Sequence, residues 1–360
     1  MKLACLLMAD DLTGACDAGV QFAGAGRKAW VEIAGFARGF EDGDVLAVST
    51  QSRDLSGEAL RSAIQHAVER LPVADARILF KKIDSLLRGN VAQEVAIWLD
   101  ALGCDAAVIT PAFPAMGRTV CSGWLRVERP GFEPIALPEY WSAGGLASCR
   151  HVATEDLETA IARGSRFISV DAVCDEDLDY IVNQGRLSGR RILWAGSAGL
   201  AAALARTLRG VPADSHSRPD GPVRFCIGSD HAVTQEQVRY LREHRTVASA
   251  ASAECVRDAL GRGEHVLVQI PRGTPAGSAR ELLSSVPGPL FVSGGDTASL
   301  VCHSLDAGQI ELIEEIAAGV PRGRISRGLY DGAAIVTKSG AFGESTTLVE
   351  VADYFLCPKQ

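Results

Sequence analysis

No stretch of this 360-residue chain reaches the roughly 18 consecutive apolar residues that a membrane span needs; the longest run, Leu3–Ala9, suits one buried strand. The first residues carry one Lys and then Asp10-Asp11, which is not the basic, apolar, small-residue order of a secretory signal. A cytoplasmic protein with no membrane partner is therefore expected. The ten cysteines include no Cys-x-x-Cys pair and no His lies at zinc-ligand spacing, so zinc modules and disulfide scaffolds are excluded and buried free thiols are expected. No Gly-Lys dipeptide occurs, so the Walker A loop is absent. No basic block occurs either: 44 acidic against 36 basic residues leave a net charge of −8, and no nucleic-acid partner is expected. Two further strings fail on context. Gly24-Ala25-Gly26-Arg27-Lys28-Ala29 matches a dinucleotide fingerprint but closes a helix instead of opening one, and Gly196-Ser197-Ala198-Gly199 lacks the first glycine of a nucleophile elbow.

What the chain does contain is alternation of short apolar runs with amphipathic stretches, over a length that suits two α/β domains. Strands are expected at Leu3–Ala9, Lys28–Ala34, Asp44–Val48, Arg77–Lys81 and Ala106–Thr110, the last apolar on both faces as a covered parallel strand must be. Helices are expected from about Gly14, at Gly57–Arg70, and at Val91–Leu102, where Asn90 and Gln93 suggest a capping box. Pro111–Ser148 interrupts the rhythm and reads as a long ordered loop. Strands Phe167–Val170 and Arg191–Trp194 and helices from Asp175 and over Ser197–Leu208 complete a doubly wound, mostly parallel N-terminal sheet. Gly210–Gly221 then reads as a linker, which divides the chain into domains 1–212 and 222–360. Beyond it strands recur at Val223–Ile227, Val266–Ile270, Leu290–Ser293 and Ala333–Thr337, with helices near Thr234–His244 and from Thr297, a second α/β domain.

In open α/β sheets ligands sit beyond the carboxyl ends of strands, so residues following each strand are the candidates. Asp10 and Asp11 leave the first strand, with Thr13 placed to cap the next helix; adjacent strand positions diverge, so a close carboxylate dyad is not expected. Lys81 to Asn90 gathers Lys82, Asp84 and Arg88 in one loop, able to hold an anion while orienting a hydroxyl, or simply to face solvent. Pro111–Thr119 is a stiff turn from which Arg118 could reach a site. Ser293-Gly294-Gly295-Asp296-Thr297 places glycines and free N–H groups at a helix start, which suits a phosphate, and Lys338–Gly343 repeats the strand-then-glycine construction. Asp296 reads first as a helix cap and second as an aid to magnesium.

Taken in order, Ala9–Gly14, Lys81–Asn90, Pro111–Thr119, Gly196–Ala201, Gly228-Ser229, Gly294–Thr297 and Lys338–Gly343 resemble the motifs of the four-carbon acid sugar kinases, across nearly the whole chain. The resemblance implies an acid-sugar-binding N-terminal domain, an ATP-binding C-terminal domain, and phosphorylation of the terminal hydroxyl of a C4 acid such as threonate, erythronate or 3-oxo-tetronate. It implies nucleotide contacts at Ser229, Gly294, Gly295, Asp296, Thr297 and Gly340. For the substrate, Arg88 with Lys82 or Arg53 is assigned to the carboxylate, Asp10 to the binding site, and Asp84 or Asp11 to the hydroxyl. ATP with Mg²⁺ is the expected cofactor set, no side chain is assigned as a dedicated metal ligand, and the linker at Val211–Gly221 is the expected hinge. The sequence departs from the family pattern in a shorter Trp124–Ser148 stretch and at Leu86, Ala341 and His231. An NAD-dependent hydroxy-acid dehydrogenase is the alternative enzyme, disfavoured because Asp-Asp-Leu-Thr-Gly puts negative charge where a pyrophosphate would sit. A non-catalytic sensor of sugar acid and ATP is the third reading, and monomer and homo-oligomer are both left open.

Overall fold

Eighteen strands and twelve α-helices lie among the residues described in the computed structural model, which are 2–33, 41–129, 131–208, 210, 221–283 and 286–356. Contacts divide the chain into two units, one of Met1–Arg27 with Phe40–Val211, the other of Lys28–Gly39 with Pro212–Gln360. The expected linker falls at residues 211–220, outside the described residues. None of the described helices is long and apolar enough to cross a membrane.

The first unit holds strands β1 (Leu3–Ala9), β3 (Val45–Ser49), β4 (Ala76–Lys82), β5 (Ala106–Thr110), β9 (Arg150–Val152), β10 (Phe167–Val170) and β11 (Ile192–Gly196). They lie in the order β3-β1-β4-β11-β5-β10-β9, and each neighbouring pair is parallel. β1 and β5 are buried along their whole length, as strands covered on both faces must be. The helices are α1 (Leu12–Gly24), α2 (Gly57–Arg70), α3 (Val91–Ala101), α4 (Leu137–Ala143), α5 (Leu157–Ala162), α6 (Asp175–Leu187) and α7 (Ala198–Arg206). Since β3 lies on one side of β1 and β4 on the other, their carboxyl ends open a crevice of the kind where α/β proteins bind ligands.

Local expectations fail in four places. Asn90 begins α3 without a side-chain cap, because its amide donates to the Leu55 carbonyl while Gln93 accepts from the N–H of Gly57; both side chains tie α3 to the start of α2. The cap of α1 is Asp11, not Thr13. The expected loop of residues 111–148 builds a small antiparallel sheet, β6 (Arg118–Cys121), β7 (Trp124–Val127) and β8 (Ile135–Ala136), followed by α4. The thiols are free, but Cys121 and Cys255 are exposed instead of buried; Cys357 lies outside the described residues.

The second unit holds β2 (Ala29–Glu32), β12 (Arg224–Ile227), β13 (Val247–Ala250), β14 (His265–Gln269), β15 (Leu290–Ser293), β16 (Gln309–Ala317), β17 (Val320–Ser326) and β18 (Ala334–Lys338). β13-β14-β12-β15-β18 is parallel, and β17, β16 and β2 extend it antiparallel. β2 therefore belongs with residues nearly 300 positions away, its Glu32 accepting from Gln309 at 2.8 Å, although chain order groups it with the first domain. The expected end of this strand at Ala34 lies outside the described residues. Helices α8 (Ala232–His244), α9 (Ala253–Gly261), α10 (Ala276–Leu283), α11 (Gly295–Ser304) and α12 (Thr347–Leu356) accompany the sheet. Phe225, Leu267, Phe291 and Val336 pack with Leu348, Val351 and Phe355 of α12 as one core, with the two phenylalanine rings 5.5 Å apart.

Candidate functional site

In the first unit, the ends of β1, β3 and β4 deliver carboxylates and guanidinium groups into one cluster. Arg53, four residues past β3, holds Asp10 with two bonds, Nε to Oδ2 at 2.7 Å and Nη2 to Oδ1 at 3.0 Å. Its Nη1 reaches Asp11 Oδ2 at 2.5 Å and its Nη2 lies 4.0 Å from Asp84. Asp10 and Asp11 thus converge on one cation. The strand ends at Ala9, and Asp11, as the cap of α1, accepts from the N–H of Gly14 at 2.6 Å, so strand alternation no longer separates the pair.

Past β4, Asp84 Oδ2 accepts from Arg88 Nη2 at 2.6 Å and Nε at 3.1 Å, and its Oδ1 accepts from the main-chain N–H of Leu86. Lys82, on the strand's last position, lies 3.4 Å from Asp17 of α1. Arg118 donates to Ser85, which places the Pro111–Thr119 turn against the same loop. Beneath them Lys81 pairs with Glu94 of α3 at 2.9 Å, both fully buried, and Ser52 also donates to Glu94. Asp17, Ser85 and Glu94 were missed by sequence reasoning. They sit inside helices or between charged residues, and only their burial beside a cation marks them.

The carboxylates differ in electrostatic state. Burial would raise the Asp84 carboxyl, but the charge and hydrogen bonds of Arg88, with Arg53 and Lys82, hold it well below the usual range. Asp10 is lowered too, burial being outweighed by Lys81, Arg53 and Lys82. Asp11 goes the other way: burial, with the charge of Asp10 adding to it, outweighs Arg53. Asp17 is also raised, by burial against the pull of Lys82.

In the second unit, β12, β15 and β18 are adjacent and in register at their ends, Ile227 beside Ser293 and Ser293 beside Lys338. Their following loops are thereby side by side. Gly294 turns at φ 103, a left-handed conformation that favours glycine, and α11 starts at once with no side-chain cap, so the first N–H groups of Gly295, Asp296 and Thr297 have no acceptor within the helix. A Cβ on Gly340 would lie 2.2 Å from Ser229 Oγ, which shows how closely the β18 loop approaches the β12 loop. Thr234 ties these loops from behind, donating to the Gly340 carbonyl at 2.8 Å and lying 3.2 Å from Ser293 Oγ. Lys338 is buried and donates to the Ser339 and Phe342 carbonyls at 2.9 and 3.0 Å; burial lowers its pKa to about 7. Of the six sequence-assigned nucleotide residues, Ser229, Gly294 and Gly340 are on these three loops and Gly295, Asp296 and Thr297 form the first turn of α11. Asp296 does not cap α11; it is in the first turn, exposed, with Arg272 at 3.7 Å.

Residues 5–144 and 142–204 match the family of sugar-binding N-terminal domains, and residues 269–348 the family of nucleotide-binding C-terminal domains. A D-threonate kinase of Bordetella bronchiseptica is 32% identical over 96% of both chains. The chain belongs to the four-carbon acid sugar kinase family. Other members similar to it include a D-erythronate kinase of Heliobacterium modesticaldum, 26% identical over 98% of this chain and 97% of that one, and a 3-oxo-tetronate kinase of Methylobacterium radiotolerans, 27% identical over 95% and 97%. A solved Salmonella typhimurium protein shares the fold with a TM-score of 0.78 at 21% identity, covering 99% of this chain and all of that one. Membership makes the chain a carbohydrate-acid kinase, with the sugar-binding match on the carboxylate–guanidinium cluster and the nucleotide-binding match on α11 and the β18 loop.

Proposed function

We propose that the protein transfers the γ-phosphoryl group of ATP to the C4 hydroxyl of a four-carbon sugar acid, with D-threonate as the acceptor. The observation that carries the site assignment is the cluster of Arg53, Arg88, Asp10, Asp11 and Asp84 at the carboxyl ends of β1, β3 and β4. Arg88 is its most open cation, with 40% of the side chain exposed, and its fork suits a carboxylate held in two bonds. Arg53, held by Asp10, flanks it. Asp84 is committed to Arg88 and stays ionised, which makes it an anchor and a weak base. Asp11, whose pKa is raised, is better matched to accept the hydroxyl proton. The hydroxyl oxygen then attacks the γ-phosphorus, the bond to the β–γ bridging oxygen breaks, and ADP leaves.

For the nucleotide, the uncapped start of α11 and the loops at Ser229 and Gly340 offer N–H and hydroxyl donors to phosphate oxygens. Among the described residues no group of three or more His, Cys, Asp or Glu is arranged to hold a metal. That donor set suits Mg²⁺ carried on the phosphates, with the exposed Asp296 available to it, and the ion would neutralise phosphate charge. Support for D-threonate as acceptor comes from relatives named D-threonate kinase, at 32% identity in Bordetella bronchiseptica and 28% in Salmonella typhimurium. The dehydrogenase alternative is opposed by Asp11 itself, whose carboxylate already occupies the N-terminus of α1.

The deciding experiment is ADP release from Mg-ATP with D-threonate, L-threonate, D-erythronate and the 3-oxo acids. D-Threonate is expected to give the highest kcat/KM. Turnover with another acid would replace the acceptor, and binding of acid and ATP without turnover with any of them would favour the sensor reading.

A further inference from the structure

We propose that the first unit carries a second anion site, at the end of its sheet away from Asp10 and Asp84, for a compact ligand with two or more phosphate or carboxylate groups. A cavity of 580 Å³ is lined there by Arg27, Arg77, Arg186, Arg190 and Arg191, with no acidic residue in its wall. Its floor is made by the first half of β4, Ala76 to Leu79, and by Ile192 and Trp194 of β11. The cavity takes Ala76–Leu79 of β4, so its nearest lining residue on this strand is about 10 Å from Lys82 at about 3.3 Å per residue, and its farthest about 20 Å.

Arg166 and Arg206, elsewhere in this unit, are matched with Asp100 and Asp179. Arg77 has a loose pairing with Asp42 at 3.7 Å and Arg27 donates to the Leu208 carbonyl at 2.6 Å. Among the described residues no carboxylate pairs with the guanidinium group of Arg186, Arg190 or Arg191, while Asp105 accepts from the main-chain N–H of Arg191 at 2.8 Å. The C-terminal ends of α6 and α7 contribute to this wall, each equivalent to about half a negative charge, which offsets only part of the guanidinium charge. An anion held between Arg186, Arg190 and Arg191 would offset their mutual repulsion. Guanidinium forks hold phosphate and carboxylate oxygens in pairs, and the volume falls in the range of about 300–1,000 Å³ typical of small-molecule pockets.

The test uses the full chain with pyrophosphate and with citrate as probes, titrated by calorimetry while a saturating non-hydrolysable ATP analogue and the acid acceptor occupy the reaction site. One probe molecule is expected to bind per chain, at least tenfold more weakly in the doubly substituted Arg186→Glu, Arg190→Glu protein. Both arginines are exposed and outside the reaction site, so circular dichroism and kcat/KM of that variant should match the parent. Tighter binding of pyrophosphate identifies a phosphate ligand, tighter binding of citrate a polycarboxylate, and either supports the site. It is overturned if neither probe binds, if the variant binds equally well, if the ATP analogue displaces the probe, or if acetate binds as tightly. The outcome is independent of which acid the enzyme phosphorylates.

Discussion

Arg88 donates two hydrogen bonds to a single oxygen of Asp84, four residues before it, while the other Asp84 oxygen accepts the N–H groups of Leu86 and Arg88. The intervening Leu87 sits at φ 59, a left-handed conformation that a bulky residue keeps only when its surroundings hold it. One such hold is Tyr140 of α4, whose hydroxyl donates to the Leu87 carbonyl at 3.0 Å. Arg88 is therefore aimed before a ligand arrives, and the small lobe built from residues 118–143 helps to aim it.

Replacing Arg88 with Ala removes the most open cation of the cluster. KM for the acid is expected to rise by about 10- to 100-fold with kcat changed far less, the pattern of a lost binding contact. Arg88→Lys should recover only part, since an ammonium cannot reproduce the two-pronged contact. Steady-state kinetics checks this, and a fall in kcat at constant KM would place Arg88 outside carboxylate recognition.

Asp11 and Asp84 are separable by their asparagine variants. Asn still caps a helix well, so Asp11→Asn should keep α1 while removing the proton acceptor, lowering kcat by about 10²- to 10⁴-fold. Asp84→Asn should weaken the hold on Arg88 and act mainly on KM. The reverse assignment of effects would return the base role to Asp84.

How much of this was legible in sequence depended on where each residue sits. Strand ends were readable, because Asp10, Asp84, Ser229, Gly294 and Gly340 each follow an apolar run and are polar or glycine where solvent or ligand begins. The β16–β17 hairpin was not readable: Glu311, Glu314 and Glu315 interrupt its apolar pattern, and the partners of Glu314 and Glu311, Arg322 and Arg324, come from the neighbouring strand. β2 was found as a strand, but its antiparallel pairing with β16 depends on a contact no local pattern encodes. Asp11 was found as a candidate, yet its convergence with Asp10 on Arg53 was not expected, because alternation applies only while the chain is still a strand. The capping box failed for a related reason: Asn90 and Gln93 found tertiary partners in Leu55 and Gly57.

Gly340→Ala tests the closeness of the two loops. The added methyl would overlap Ser229, whose Cβ as well as Oγ is within 3.1 Å of it, so the β18 loop must shift away from the β12 loop. KM for ATP is expected to rise at least tenfold while acid affinity, measured by calorimetry without nucleotide, stays unchanged. An unaltered KM for ATP would remove Gly340 and Ser229 from the nucleotide site.

Lys338 gives the clearest pH signature. Burial depresses its pKa to about 7, against roughly 10.4 for an unfolded Lys, so between these values the unfolded chain binds more protons than the folded one. The contribution of this group to stability therefore grows as pH rises from 7 toward 10 and is lost as pH falls through 7. Lys338→Met removes the titration along with the bonds to the Ser339 and Phe342 carbonyls. Measured by denaturant unfolding at pH 7, 8 and 9, the stability difference should shift in favour of the parent protein by up to about 1.4 kcal/mol per pH unit. Other lysines and tyrosines titrate in both proteins and cancel in that difference. Parallel pH curves would mean that Lys338 stays charged in the fold, held by the three oxygens around its Nζ: Thr234 Oγ1 and the carbonyls of Ser339 and Phe342.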